Sequence, residues 1–328
     1  MDPSRIIVIS DSFHTLPEAV AALDTSGHDI TYVSGLTPWV DLEPANRCVL
    51  QEARAVVMGR VLKVDAAAFS LAPNLQVIAL HTSGSDNVNL DEATRRGVLV
   101  TNVKGVNAEQ CAEFAIGLML CVVRKILTGD RAVRAALWAS RTQTSMDVYG
   151  ATLGVIGFGQ IARAFVTRAR AFGTRILVHT RTPDTALEKE FGIEYGSLDD
   201  LLSHADIVGL FASLTQDTRR MIGAREFGLM KPSAYLINIA RGELVDQSAL
   251  IDALRTGQIA GAGLDVFEVE PLLESALFAL DNVVLTPHQA GLTQGGKVGA
   301  AVRAARNALN ALDGVIPRDA INPGAWIT

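Results

Sequence analysis

The sequence predicts an α/β protein built from two parallel-sheet domains. Three observations carry that expectation. A chain of 328 residues exceeds the size at which single hydrophobic cores usually stop growing. Short β-rich runs alternate with helical stretches in two successive series. A glycine-rich turn follows the first strand of the second series and opens a helix.

The first series supplies five candidate strands: Arg5 to Ser10, Ile30 to Val33, Ala55 to Met58, Leu75 to Leu80 and Val98 to Thr101. Helical sequence separates them, as a parallel sheet requires. A long helical segment is then expected from about Ala108 to Ala136. Its first half, AEQCAEFAIGLMLCVV, is apolar on nearly all sides, so it must be buried, between domains or against a second subunit.

Six strands are expected in the second series: Thr152 to Gly157, Arg175 to Thr180, Ile207 to Ala212, Ala234 to Ile239, Gly261 to Val266 and Asn282 to Thr286. Asp246 is placed to cap the helix that contains Leu250, Ile251 and Leu254, and Gly257 to end it. The amphipathic stretch Val298 to Leu312 is the last helix.

Composition narrows the function. Hydrophobic residues make up 49% and charged residues 20%, with a formal net charge of -6, which fits a globular protein and argues against a polyanionic partner such as nucleic acid. The N-terminus, MDPSRIIVIS, lacks the basic segment and long apolar stretch of a signal peptide, and no run of about 18 apolar residues could span a membrane. A cytoplasmic location is expected. Cys48, Cys111 and Cys121 have no paired metal-ligand spacing and read as reduced packing residues, so no metal is expected.

The segment Leu153 to Ala162, LGVIGFGQIA, places Gly157, Gly159 and Ala162 in a GxGxxA motif. The first glycine permits the tight turn and the second lets backbone approach a pyrophosphate. The small third residue lets helix and strand pack closely. Exposed amides at the helix start, from Gln160 and Ile161, would then meet the phosphate charge. The next strand ends in Val178, His179, Thr180 and Arg181, where an acid would usually accept the ribose hydroxyls. Thr180 can donate a hydrogen bond and Arg181 can pair with a 2′-phosphate, so NADP(H) is favoured, with NAD(H) the alternative.

Three residues at probable strand ends carry the chemistry. Pro287 precedes His288 and restrains its backbone approach, while Glu270 lies in a turn before Pro271. A carboxylate there can orient the imidazole. Arg241 offers a planar, permanently charged fork suited to a substrate carboxylate. Beside a nicotinamide, these groups would reduce a 2-oxo acid: Arg241 binding the carboxylate and polarising the carbonyl, His288 donating the proton.

The stretches GFGQIAR, NIARGELVD, GLDVFEVEP and TPHQAG together resemble the D-isomer specific 2-hydroxyacid dehydrogenase family over nearly the full length. The resemblance implies a Rossmann dinucleotide-binding domain, residues 102–288, inserted into a flavodoxin-like substrate domain of residues 1–101 and 289–328. It implies a homodimer formed through the dinucleotide domain. It also implies that Asp265 holds the nicotinamide carboxamide near Ile239. Ser213 and Thr218 complete the expected cofactor contacts, and Thr82, Ser83 and Gly84 in the stretch HTSGSD match the family's substrate loop.

The chain departs from the family pattern in the regions that select substrate. Thr82 stands where glycine is common, and Lys104 where proline is usual. Phe211, Ala212 and Ser213 replace a His, apolar, Pro run, and Gln289 replaces an apolar residue. The expected activity is NAD(P)-dependent interconversion of a small 2-oxo acid and a D-2-hydroxy acid, of the glyoxylate or hydroxypyruvate type. A phosphoglycerate dehydrogenase, with Lys104, Arg60 and Lys63 offering charge to a phosphate, is the alternative enzyme. A cofactor-sensing binding protein such as a corepressor is the alternative of a different class.

Overall fold

The computed structural model describes residues 3–33, 44–59, 62–138 and 144–326. The chain divides into two compact units, Met1–Asn107 with Thr293–Thr328, and Ala108–Leu292. The divisions fall after Asn107 and Leu292, a few residues beyond the expected positions. Asn102 explains the first difference: its side chain donates to Ser83 O at 2.8 Å, which keeps the 102–107 segment with the first sheet.

In the first unit, β1 (Arg5–Ile9), β2 (Asp29–Val33), β3 (Ala53–Met58), β4 (Val77–Leu80) and β5 (Leu99–Thr101) form one parallel sheet of order β2-β1-β3-β4-β5. This is the flavodoxin-like order, with its crevice where the order reverses beside β1. Its central strands are continuous Ile, Val and Ala runs because both faces are covered. The helices are α1 (Pro17–Asp24), α2 (Pro44–Glu52), α3 (Ala66–Ser70) and α4 (Leu90–Arg95).

Ala108 begins the second unit. Its helices are α5 (Ala108–Val123), α6 (Ile126–Arg134), α7 (Gln160–Ala169), α8 (Thr185–Phe191), α9 (Leu198–His204), α10 (Ala224–Leu229) and α11 (Gln247–Arg255). Its strands are β6 (Thr152–Ile156), β7 (Arg175–His179), β8 (Glu194–Tyr195), β9 (Ile207–Leu210), β10 (Tyr235–Asn238), β11 (Gly261–Leu264) and β12 (Val283–Leu285). They form a parallel sheet of order β12-β11-β10-β9-β6-β7-β8, the doubly wound arrangement whose ligands lie beyond the strand carboxyl ends. The sheet has seven strands where six were expected, because the two-residue β8 pairs with β7 at Leu177–Glu194 and Val178–Tyr195.

The single helix expected from Ala108 to Ala136 is two helices. Lys125 adopts a left-handed φ of 52° and breaks the run between α5 and α6. The buried face of α5, Cys111, Ala112, Ala115, Leu118, Met119 and Val122, packs on its own sheet, leaving Phe114, Ile116 and Leu120 half-buried. The Asp246 cap is present, accepting from Ala249 N at 3.1 Å.

The last helix, α12 (Gln294–Leu312), belongs to the first unit. Thr293 caps it by accepting from Gly296 N at 3.0 Å. Ala301, Ala304, Ala305, Ala308 and Ala311 recur at helical spacing and are buried against the core shared with α1 and the sheet. Only small side chains allow that close approach.

Candidate active site

The glycine turn meets both demands of a dinucleotide loop. Gly157 has a φ of 86°, and a Cβ there would lie 2.6 Å from Ala212 N. Any side chain would therefore collide with the backbone that follows β9. Gly159 is the N-cap of α7 and supplies no side-chain cap. A Cβ at Gly159 would meet nothing within 4 Å. Ala162 is fully buried, so α7 seats directly on the sheet. Uncapped amides at the start of a ten-residue helix thus face open space, an arrangement that fits a pyrophosphate.

At the end of β7, Thr180 is half-buried and Arg181 exposed. Downstream, the first carboxylate is Asp184, which caps α8 by accepting from Ala186 N at 2.9 Å. Beyond β9, Ser213 is exposed and its carbonyl accepts from the Thr218 hydroxyl at 2.7 Å. Thr218 Oγ1 also accepts from Thr215 N at 2.8 Å, so this hydroxyl closes its own loop. Ile239 is buried just beyond the end of β10.

Beyond β10, Asn238 holds the arginine turn. It donates to Arg241 O at 2.8 Å and accepts from Ala240 N at 3.0 Å. The Arg241 guanidinium donates to Ala240 O at 2.7 Å. The next residue, Gly242, lies flat against the turn ahead of Glu270: a Cβ there would sit 1.9 Å from the carbonyl carbon of Phe267. Through this contact the Arg241 turn and the Glu270 turn form one packed surface.

The acid and the histidine meet directly. Glu270 Oε2 lies 2.7 Å from His288 Nδ1, and Glu270 Oε1 accepts from Phe267 N at 3.1 Å. Both carboxylate oxygens are thus directed, one to backbone and one to the ring. A carboxylate at Nδ1 fixes the proton on that nitrogen and orients the ring.

His288 is itself held in the left-handed region, with φ of 52°. Asp265, completely buried at the end of β11, shapes that loop. Its carboxylate accepts from Thr286 Oγ1 at 2.6 Å, Gln289 N at 2.9 Å and Ala290 N at 2.9 Å. Its main-chain oxygen accepts from His288 N at 2.8 Å. In this structure the oxygens of Asp265 serve the loop that carries His288. Burial, with a smaller contribution from the Asp265 charge, pushes the nearby Cys111 thiol up to about 11, so it is a neutral packing group at physiological pH.

Thr82, Ser83 and Gly84 lie in the first unit, after β4. Thr82 Oγ1 donates to Gly84 O at 3.0 Å, and Ser83 Oγ to Asn107 Oδ1 at 3.2 Å. Val103 N donates to Thr82 O at 3.1 Å. Their three backbone amides donate to no described residue. The supporting Asn102 and Asn107 escaped sequence reasoning, although the segment that contains them stood out. Lys63 and Lys104 are exposed, and Arg60 lies outside the described residues. Among the described residues no cluster of His, Cys, Asp and Glu could hold a metal, and no helix is long and apolar enough to cross a membrane.

Known proteins resemble this chain. The family described as D-isomer specific 2-hydroxyacid dehydrogenase, NAD binding domain, matches residues 116–290. A glyoxylate reductase of Thermococcus onnurineus is 42% identical over 295 residues, 87% of this chain and 88% of that protein. A glyoxylate reductase of Pyrococcus furiosus is 42% identical over 267 residues, 79% of this chain and 80% of that one. Among solved structures, a glyoxylate reductase from Paecilomyes thermophila superposes with a TM-score of 0.87 at 29% identity, covering 98% of this chain and 99% of that chain. The NADPH-dependent glyoxylate/hydroxypyruvate reductase of Sinorhizobium meliloti, in complex with NADP and malonate, gives a TM-score of 0.86 at 27% identity, covering 99% and 98%. With its glycine loop at the start of α7 and its Glu270–His288 pair, the chain belongs to the D-isomer specific 2-hydroxyacid dehydrogenase family and is an oxidoreductase acting on CH–OH groups with a nicotinamide dinucleotide.

Proposed function

We propose that this protein is an NADPH-preferring reductase of small 2-oxo acids, of the glyoxylate or hydroxypyruvate type. The Glu270–His288 contact at 2.7 Å carries the reading, because it makes His288 an oriented proton donor. Arg241 binds the substrate carboxylate and polarises the carbonyl, and in the first unit the amides of Thr82, Ser83 and Gly84 offer donors to an anion. The bound cofactor supplies the hydride. His288 Nε2 delivers the proton to the developing alkoxide, and Glu270 holds the imidazolium that precedes it. The names of the relatives support the substrate class.

Gly157, Gly159, Gln160 and Ile161 would hold the dinucleotide, with Ser213, Thr218, Ile239 and Asp265 along its nicotinamide half and Thr180 and Arg181 at the ribose. The 2′-phosphate preference rests on Thr180 and Arg181 standing where an acid would repel phosphate, with Asp184 committed to its helix cap. Steady-state rates for a panel of 2-oxo acids with NADPH and NADH test this reading. Glyoxylate or hydroxypyruvate should lead the panel, with a larger kcat/KM for NADPH. His288→Ala should lose a factor on the order of 10² to 10⁴ in kcat with cofactor binding nearly intact. Full activity in that variant would remove the acid–base assignment, and equal use of NADH would remove the cofactor preference.

The functional form is a homodimer joined through the second unit. Helix α6 buries no residue, and Ile126, Val133, Leu137 and Trp138 on and beyond it are 50%, 56%, 59% and 68% exposed. An apolar stripe of that kind marks an interface. Sedimentation equilibrium should give twice the mass of one chain, and Val133→Asp should shift it toward one. A monomeric wild-type protein would refute the assembly.

A further inference from the structure

Arg220 is the one non-glycine residue between β9 and β10 that adopts left-handed backbone, with φ of 53°. An arginine gains nothing intrinsic from that conformation, so its surroundings must hold it there. Two sets of contacts do. Its N–H donates to Glu243 O at 2.7 Å, within the turn that follows Arg241. Its guanidinium donates through Nε at 3.0 Å to Glu268 Oε1, two residues before Glu270, and its Nη2 is paired with the same oxygen at 2.8 Å. Asp246 adds a more distant carboxylate, 3.9 Å from Nη1.

We infer that Arg220 is a positioning residue for proton transfer: its ion pair with Glu268 clips the turn that bears Glu270 onto the turn that bears Arg241. The inference rests on the proposed roles of Glu270 and His288. The two turns already touch where Gly242 meets Phe267, a contact that resists approach, and Gln247 Oε1 accepts weakly from Glu268 N at 3.4 Å. Arg220 supplies the pull. Its main chain is bonded to one turn and its side chain to the other, and the strained backbone sets the direction in which the guanidinium leaves. Arg220 is 59% exposed and Glu268 24%, an ion pair of the kind that adds little to stability. Its use is therefore geometric. A released Glu268 loosens the 267–270 turn, Glu270 loses its fixed approach to Nδ1, and the imidazole loses its orientation. Arg241 keeps its own support from Asn238, so substrate binding is spared.

Arg220→Gly is the discriminating variant, because glycine accepts this φ without strain and only the clip is removed. Single-turnover oxidation of NADPH by glyoxylate should slow by about tenfold, the scale of a modest misplacement. The KM for glyoxylate and the Kd for NADPH should stay within about twofold, since no group assigned to binding is touched. Arg220→Lys should recover part of the rate through a single charged contact. Glu268→Gln should slow the step similarly, and the Arg220→Gly/Glu268→Gln double variant should be no slower than either alone. An unchanged single-turnover rate in Arg220→Gly, or additive losses in the double variant, would overturn the clip. His288→Ala measured alongside separates the two ideas: a large loss there with a normal Arg220→Gly rate removes the clip alone, whereas full activity in His288→Ala removes the site reading.

Discussion

A single buried carboxylate shapes the loop that presents His288. The left-handed backbone of His288 costs about 1–2 kcal/mol in an ordinary residue. The three donors converging on the Asp265 side chain offset it, since hydrogen bonds to a charged group contribute about 1.5–3 kcal/mol each. Asp265→Asn preserves the volume but turns one acceptor into a donor facing an N–H or hydroxyl. The loop should relax, and turnover should fall by a factor on the order of 10², with the unfolding midpoint lowered as well. Wild-type turnover in this variant would mean that the loop holds its own shape. Sequence reasoning singled out Asp265 as an acid in a telling motif but did not see its bonds to the His288 loop. Nothing in a linear sequence shows that the amides of Gln289 and Ala290, more than twenty positions away, fold back onto it.

Elements were legible where local chemistry decides them and obscure where distant contacts do. Buried strands read clearly as Ile and Val runs, and the Asp246 cap read correctly because capping is a local hydrogen bond. The break at Lys125 did not, because lysine carries no signal for left-handed backbone. Strand β8 escaped because two residues show no periodicity, and its pairing with β7 creates it. Two glycines in turns that follow strands differ in the same way. A methyl at Gly242 would overlap the Phe267 backbone, whereas one at Gly159 would meet only open space. Gly242→Ala should therefore destabilise the fold by more than about 1–3 kcal/mol and cost activity with it. Gly159→Ala should leave unfolding within about 0.5 kcal/mol of wild type while raising the Kd for NADPH. Urea titration and fluorescence binding on the pair would distinguish a packing glycine from a ligand-approach glycine; the same stability loss in both would contradict this division.

At the scale of the molecule, the first unit is completed only by the far end of the chain. After α12, Ile321 N donates to Val100 O at 2.9 Å, Asn322 Oδ1 accepts from Val100 N at 2.7 Å, and Ala320 bridges antiparallel to Thr101. The tail thereby covers β5, an edge strand that would otherwise present unpaired backbone. Asp319 fastens it: its carboxylate accepts from Arg303 Nε at 2.6 Å and from Asn307 Nδ2 at 3.2 Å, joining the tail to α12. Partial burial opposes ionisation of Asp319, but the hydrogen bonds from Arg303 and Asn307 outweigh it and hold the carboxyl below its ordinary range. A folded value below the unfolded one means that Asp319 stabilises the fold fully above about pH 4, the unfolded carboxylate range, and that this contribution is lost as pH falls through the depressed value. Asp319→Ala should accordingly lower the urea midpoint at pH 7, and the gap to wild type should close as the pH is taken below about 4. A gap of constant size across that range would mean that the variant acts by lost packing rather than by the charge.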